Sequence, residues 1–308
     1  MSVTQQQYPL FFIQRFKGKV LFNVPMSEHT SFKLGGAADV MAFPQDEGDL
    51  KDIITFAEAK NFPIYILGNG TNVLVKDGGI KGVVINMADG FKDISWENAK
   101  DGAAAVVGAG VKLSELVSEC KDRGASGIEF ACSIPGTVGG AVAMNAGAYG
   151  GEMKDVVEAV EIIGKKGHKS FLSKDEIGFS YRKSAIPKGA VITRAHMRFQ
   201  IKDADEIKRK IKEFREKRNV SMGIPFANAG SVFKNPEGDF AGRLIEEAGL
   251  KGQTSGGAAV SDAHANVIVN RGNAKAKDVL ALIALVRDRV YSMKGVVLEL
   301  EINIIGED

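Results

Sequence analysis

The stretch Ser133–Gly151 reads SIPGTVGGAVAMNAGAYGG, and it decides how the rest of the 308-residue chain is organised. Six of its nineteen residues are glycine, and most of the others are Ala, Ser, Thr, Val or Asn. With so little side-chain bulk, another molecule can approach the main chain closely. Successive backbone N–H groups in turn conformations form concave anion sites, and no catalytic side chain is needed there. GNGTN at Gly68–Asn72, just after the apolar run Ile64–Leu67, has the same character. Two amide-exposing loops point to a bound dinucleotide. The alternative is a compact fold that uses these glycines only for tight turns.

Composition narrows the class. Hydrophobic residues make up 44% and charged residues 25%, ordinary for a soluble globular chain, and the length allows two or three packed units. A formal net charge of +2 gives no electrostatic reason to expect nucleic acid or an anionic membrane surface. Two cysteines, Cys120 and Cys132, make no disulfide framework, so reduced thiols and a cytoplasmic setting are expected. The apolar run Pro9–Ile13 is too short for a membrane span and lacks the basic flank of a secretory signal. The four histidines and two cysteines are scattered without metal-ligand spacing, and no metal is expected.

Hydrophobic periodicity gives a mixed α and β chain. Leu10–Phe16 reads as a short helix. Asp46–Lys60 places Leu50, Ile53, Ile54 and Ala57 at helical spacing and is closed by Asn61 and Pro63. Ile64–Leu67, Val73–Val75, Gly82–Met87 and Ala103–Val107 read as strands. Lys112–Arg123 is a helix stopped by Gly124. Val156–Ile163 and His168–Leu172 read as a hairpin, and Ala190–Ile201 as a long strand with Ile192, Arg194, His196 and Arg198 on one face. A charged helix, Asp205–Arg218, carries the apolar stripe Ile207, Ile211 and Phe214, and the change of character at Asp203 marks a domain boundary. Then come the loop Val220–Pro236, a helix over Asp239–Ala248 and an extended stretch, Ala258–Asn270. A long helix, Ala274–Met293, leads to a final strand, Val296–Ile305, with Glu299 and Glu301 on one face.

The familiar nucleotide and nucleophile signatures are missing. G-x-G-x-x-G would need glycine where Val73 stands, and neither the Walker pattern nor a G-x-S-x-G elbow occurs. What remains is polar: YRKS at Tyr181–Ser184, GSVFKNP at Gly230–Pro236, and Glu301 inside LELEINII. Each has a bland reading, as a surface cation, a turn cap or a solvent-facing strand residue.

Taken together, GNGTN, IPGTVGGAVAMNAGAYGGE, SYRKS, AGSVFKNP and EINIIG closely resemble the UDP-N-acetylenolpyruvoylglucosamine reductases, in their shorter, second type. The resemblance runs from about His29 to Gly306, nearly the whole chain. It implies an α+β fold: a two-subdomain FAD-binding domain of the vanillyl-alcohol-oxidase (PCMH) type plus a smaller α+β substrate-binding domain. The corresponding division is 1–94, 95–203 and 204–308, with the C-terminal strand returning to the active site.

It also implies an oxidoreductase of peptidoglycan precursor synthesis. NADPH reduces FAD, and the flavin N5 passes hydride to UDP-N-acetylglucosamine enolpyruvate, giving UDP-N-acetylmuramate. By motif match, Gly68, Asn69, Gly70, Thr71 and Asn72 hold the FAD pyrophosphate through backbone amides. Ser133, Ile134, Pro135, Gly136, Thr137, Gly139 and Gly140 do the same, and Asn145, Ala146 and Gly147 lie along the cofactor. Ser231 becomes the proton donor, while Arg182 and Glu301 polarise the carboxylate. Glu301 would have to carry or share a proton to assist an anion. Tyr181, Arg218, Lys234 and Asn235 are the substrate contacts the match implies. Asn219–Gly230 departs from the family's usual run before GSVF, so its diphosphate contacts stay unassigned. GNGTN offers no His or Cys to tether a flavin, so FAD is expected to be non-covalent, in a monomer with no nucleic-acid or membrane partner. Two other readings are a flavin oxidase of the same fold that uses oxygen, and a non-catalytic binder of flavin or nucleotide sugar.

Overall fold

The computed structural model describes residues 16–99 and 102–308. All but the last residue of the helix expected over Leu10–Phe16 lies outside the described residues. By its contacts the chain divides into two compact units, each assembled from three segments. The first comprises Met1–Phe22, Asp39–Asn69 and Gly82–Lys217, and the second Asn23–Ala38, Gly70–Lys81 and Arg218–Asp308. On the C-terminal side the division falls within a helix, Ala204–Met222, and not near Asp203. The second unit also takes in two segments that the linear division assigned to the N-terminal subdomain.

In the first unit, helix Glu47–Ala59 forms where the spacing predicts it. The Asp46 side chain caps it by accepting the Asp49 amide. Its apolar face, Leu50, Ile53 and Ile54, packs on Val40, Ala42, Val83 and Ile85. These last residues belong to a four-stranded sheet ordered Lys19–Pro25, Ala37–Phe43, Ile80–Asn86, Ile64–Leu67. The last two strands are parallel, with Ile64 opposite Val83 and Leu67 opposite Asn86, so the chain leaves the sheet at Gly68.

A second, antiparallel sheet runs in the order Lys169–Ser173, Val157–Ile163, Val191–Ile201, Gly102–Gly108, Ile94–Ala99. Strand Val191–Ile201 alternates from Arg194 onward: Ala195, Met197 and Phe199 are buried, while Arg194 bonds Glu47 and Asp93 on the opposite face. Ile192, read on the face of Arg194, is instead buried in the core with Ala195 and Met197, beside a break in register with strand Val157–Ile163. Helix Leu113–Asp122 and the stripe Ile207, Ile211 and Phe214 close the core on this sheet. The small-residue stretch differs from the loop read in the sequence. Val138–Ala143 winds into a short helix whose Val138, Ala141 and Val142 are buried. Small side chains are what allow it, since a Cβ on Gly139 would stand 2.8 Å from the Ala109 Cβ.

The second unit is built on an antiparallel sheet ordered Ala227–Ser231, Val267–Asn270, Ala258–Val260, Thr254–Ser255. The first of these strands lies inside what reads as the loop Val220–Pro236, and the stretch Ala258–Asn270 is two strands around a turn. Helix Ala276–Lys294 packs Val279, Leu282, Ile283 and Val286 into a core with Phe32, Leu74, Phe233 and Leu244. Its first turn is capped from about 200 residues away in sequence, the Asp77 carboxylate accepting the amides of Ala276 and Lys277.

The strand expected over Val296–Ile305 is shorter than read. Only Asn303–Ile305 is a strand, parallel to Val73–Val75. Before it, the chain bonds across the Ser231–Lys234 segment: the Glu301 amide donates to the Val232 carbonyl and the Lys234 amide to that of Glu299. Leu298 and Ile302 still point into the core, so the alternation is retained without a regular ladder.

Candidate active site

Two loops that lie about seventy residues apart in sequence meet in the first unit. An ideal Cβ built on Gly68 falls 2.5 Å from the Thr137 hydroxyl oxygen, closer than any real side chain tolerates. Gly68 follows the end of a parallel strand, and Thr137 is buried where Val138 and Leu113 bond across to Val111 and Gly136. The amides of Asn69, Gly136 and Gly140 have no acceptor among the described residues. Bare N–H groups on backbone stripped of side chains suit the oxygens of a pyrophosphate, so this part of the chain fits the diphosphate of FAD.

GNGTN is itself divided between the units. Gly68 and Asn69 belong to the first, Gly70 to Asn72 to the second. Gly70 takes φ 64 with its Cβ position 2.2 Å from the His29 carbonyl oxygen, so no other residue fits. The Asn72 side-chain Nδ2 donates to the Glu301 carbonyl at 3.1 Å. In the second small-residue loop, Ile134 donates its amide to Ala131 and Ser133 lies beside the Cys132 thiol. Both cysteines are free and buried, and burial pushes the Cys120 thiol far above its ordinary range.

Asn145, Ala146 and Gly147 sit in the same unit as Arg182. Asn145 is fully buried, and its side-chain amide donates to Glu152 and to the Ser180 carbonyl while its oxygen accepts the Lys154 amide. That amide therefore serves the framework. The Arg182 guanidinium donates to the Gly147 carbonyl at 2.8 Å and lies 5.0 Å from the Tyr181 ring centre. Ser184 ties the same turn to the Ala143 carbonyl.

Ser231, Glu301, Lys234, Asn235 and Arg218 all fall in the second unit. Ser231 is half-buried at the end of strand Ala227–Ser231, after Gly230 at φ 74 and a break in register with strand Val267–Asn270. Glu301 lies on the segment that bonds across Val232. The Lys234 ammonium pairs with Glu299 at 3.2 Å, and the Asn235 side chain accepts the Ala241 amide at the start of helix Ala241–Glu247. Both side chains, expected on the substrate, also hold this unit together.

Sequence reasoning missed Asn266. It is buried, its oxygen accepts the Phe233 amide at 3.0 Å and its nitrogen donates to the Phe233 carbonyl at 2.8 Å, fixing the chain just beyond Ser231. An asparagine ahead of the apolar run VIVN was the only visible signal. Asn266→Ala would leave both Phe233 groups buried without partners, so a loss of about 2–4 kcal/mol of stability is expected in urea unfolding. A change within about 0.5 kcal/mol would contradict this clamp. Neighbouring His264 is held below its ordinary pKa, by burial first and then by the Arg218 charge. Among the described residues no cluster of His, Cys, Asp or Glu could hold a metal ion, and no helix is long and apolar enough to cross a membrane.

Comparison with known proteins bears on both units. A family model described as an FAD binding domain matches residues 38–169. One described as the UDP-N-acetylenolpyruvoylglucosamine reductase C-terminal domain matches residues 223–305. The UDP-N-acetylenolpyruvoylglucosamine reductase of Clostridioides difficile (strain 630) is 44% identical over 293 residues, covering 95% of each chain. That of Geobacter metallireducens (strain ATCC 53774 / DSM 7210 / GS-15) is 43% identical over 292 residues, covering 95% of this chain and 96% of its own. Among solved structures, the UDP-N-acetylenolpyruvylglucosamine reductase (MurB) of Thermus caldophilus matches with a TM-score of 0.77 at 38% identity, over 94% of this chain and 98% of that one. With an FAD-binding segment and the reductase C-terminal domain in one α+β chain, and this identity along almost its full length, the protein belongs to the UDP-N-acetylenolpyruvoylglucosamine reductase family.

Proposed function

We propose that the protein reduces UDP-N-acetylglucosamine enolpyruvate to UDP-N-acetylmuramate with NADPH as reductant and non-covalent FAD as carrier, in peptidoglycan precursor synthesis. The observation that carries this reading is 44% identity over 95% of the chain with a reductase of that name. Bound FAD supplies a hydride acceptor for NADPH and, at N5, a hydride donor for the vinyl carbon of the sugar.

The chain's own residues handle binding and charge. The amides around Gly68, Asn69, Gly136 and Gly140 hold the diphosphate of the cofactor without any cationic side chain. As hydride adds to the terminal carbon, negative charge gathers on the neighbouring carbon and its carboxylate. Arg182 and Glu301, the latter carrying or sharing a proton, meet that carboxylate, and fixed groups that need no reorganisation lower the barrier most. Ser231 gives its proton to the carbon. A serine hydroxyl is a feeble acid in water, and it serves here because a carbanion is a strong base placed beside it. Tyr181, Arg218, Lys234 and Asn235 take the phosphates and carboxylate of the substrate.

An anaerobic titration followed by flavin absorbance tests the proposal. The yellow protein is expected to bleach with NADPH and to regain colour when UDP-N-acetylglucosamine enolpyruvate is added. Bleaching without recovery discards the substrate and keeps the flavin. A colourless protein that cannot be reconstituted with FAD overturns the reading as a whole.

A further inference from the structure

A knot of backbone strain lies in the first unit around Arg182. Asn145, Tyr149 and Arg182 take φ values of 45, 53 and 55, in the left-handed region that side chains other than glycine rarely adopt. Tyr149 and Gly150 make the two-residue turn between strands Gly147–Ala148 and Gly151–Glu152, where both positions need positive φ. No hairpin pairing of that kind requires it of Asn145, and Arg182 is an arginine in a turn that would suit glycine. Strain of this sort persists only where the surroundings over-determine the geometry.

Glu152 supplies that determination. Its backbone amide is fixed on Asp155 at 2.8 Å. One carboxylate oxygen accepts from the Asn145 amide at 3.0 Å and pairs with the Lys154 ammonium at 2.7 Å. The other faces the Arg182 guanidinium at 3.8 Å. The Glu152 and Arg182 side chains are only 18% and 16% exposed, so water screens their attraction weakly. Asn145, held by Glu152, in turn grips the Ser180 carbonyl two residues before Arg182, while Gly147 takes the guanidinium itself at 2.8 Å. One carboxylate thus reaches the arginine directly and, through Asn145, the backbone two residues before it.

We infer that Glu152 is the positioning residue for Arg182, fixing where the guanidinium sits and how its fork is turned; the inference rests on the carboxylate-binding role proposed above for Arg182. Glu152 touches neither substrate nor cofactor in this scheme. Its effect on the reaction passes through Arg182, since a misplacement of about 1 Å costs roughly 100-fold in rate.

The test is a double-mutant cycle read in one half-reaction. NADPH-reduced, flavin-loaded wild type, E152Q, R182A and the double variant are mixed anaerobically with saturating UDP-N-acetylglucosamine enolpyruvate, and flavin reoxidation is timed. R182A is expected to lose about 100-fold or more. E152Q is expected to lose roughly 10-fold or more against wild type and less than about twofold against R182A. Equal fold losses in both backgrounds, or a wild-type rate in E152Q, overturn the inference and leave the Arg182 assignment standing. A wild-type rate in R182A overturns that assignment and this inference with it. If E152Q does not retain flavin, E152D, which keeps the charge but draws it back by one methylene, is read in the same two backgrounds with the same expectations.

Discussion

Ser231→Ala is expected to keep flavin reduction by NADPH within about twofold of wild type while slowing reduction of the enolpyruvyl sugar by about 10²–10⁴, the range one general acid contributes. The two half-reactions separate because only the second leaves a carbon that needs a proton. The substitution removes one oxygen from a half-buried side chain at a strand end. Its backbone surroundings are held independently, by the Val232 amide on Asn266 and by the paired bonds between Asn266 and Phe233. Gly230 keeps its φ of 74 whatever follows it. Stopped-flow absorbance in each half-reaction, beside a thermal melt, checks the result. Equal slowing of both halves would remove Ser231 from the proton-transfer role and make it a determinant of flavin environment or fold.

The second large effect is expected from Gly68→Val. The first atom added at this position falls 2.5 Å from the Thr137 hydroxyl oxygen and 3.6 Å from the Thr137 Cβ. Thr137 is buried and β-branched, so its one escape, rotation about χ1, is restricted, and valine brings two further methyl groups. The loops must then separate, and the amides of Asn69, Gly136 and Gly140 no longer face a common ligand. A loss of about 100-fold or more in FAD affinity is expected, seen as colourless protein after gel filtration, because each lost charge-assisted hydrogen bond costs about 1.5–3 kcal/mol. Circular dichroism should remain close to wild type, since most of this unit's core, in its sheets and in helices Glu47–Ala59 and Leu113–Asp122, lies outside the two loops. Stoichiometric FAD in the purified variant would show that the approach of Gly68 to Thr137 has no part in holding the cofactor.

Local features of the chain were legible where the information is local. The apolar spacing of Leu50, Ile53 and Ile54 gave a helix found at Glu47–Ala59, and alternation gave the long strand found at Val191–Ile201 with Arg194 and His196 turned from the core. Glycine-rich runs showed where backbone would be bare, and the ordered motifs from GNGTN to EINIIG identified the family. These readings succeed because spacing and side-chain size act within a turn or a strand, at any place in a fold.

Other features depended on residues far apart in sequence. The helix hidden in the small-residue stretch forms because Gly139 can press against Ala109, a contact that composition does not announce. Most of Val296–Ile305 has strand character but lacks an adjacent strand to pair with, bonding instead to Val232 and Lys234. Two segments, Asn23–Ala38 and Gly70–Lys81, join the C-terminal unit because Phe32, Leu34 and Leu74 complete its core and Asp77 caps its long helix. The sequence alone thus determined the chemistry on offer: bare amides, a serine after glycine, an arginine in a turn and a glutamate within an apolar run. Which of these share a unit, and which partners such as the buried Asn266 and the half-buried Glu152 fix them in place, only the tertiary structure decided. Such pairings arise when burial forces each polar group to find a partner, and that partner can lie anywhere along the chain.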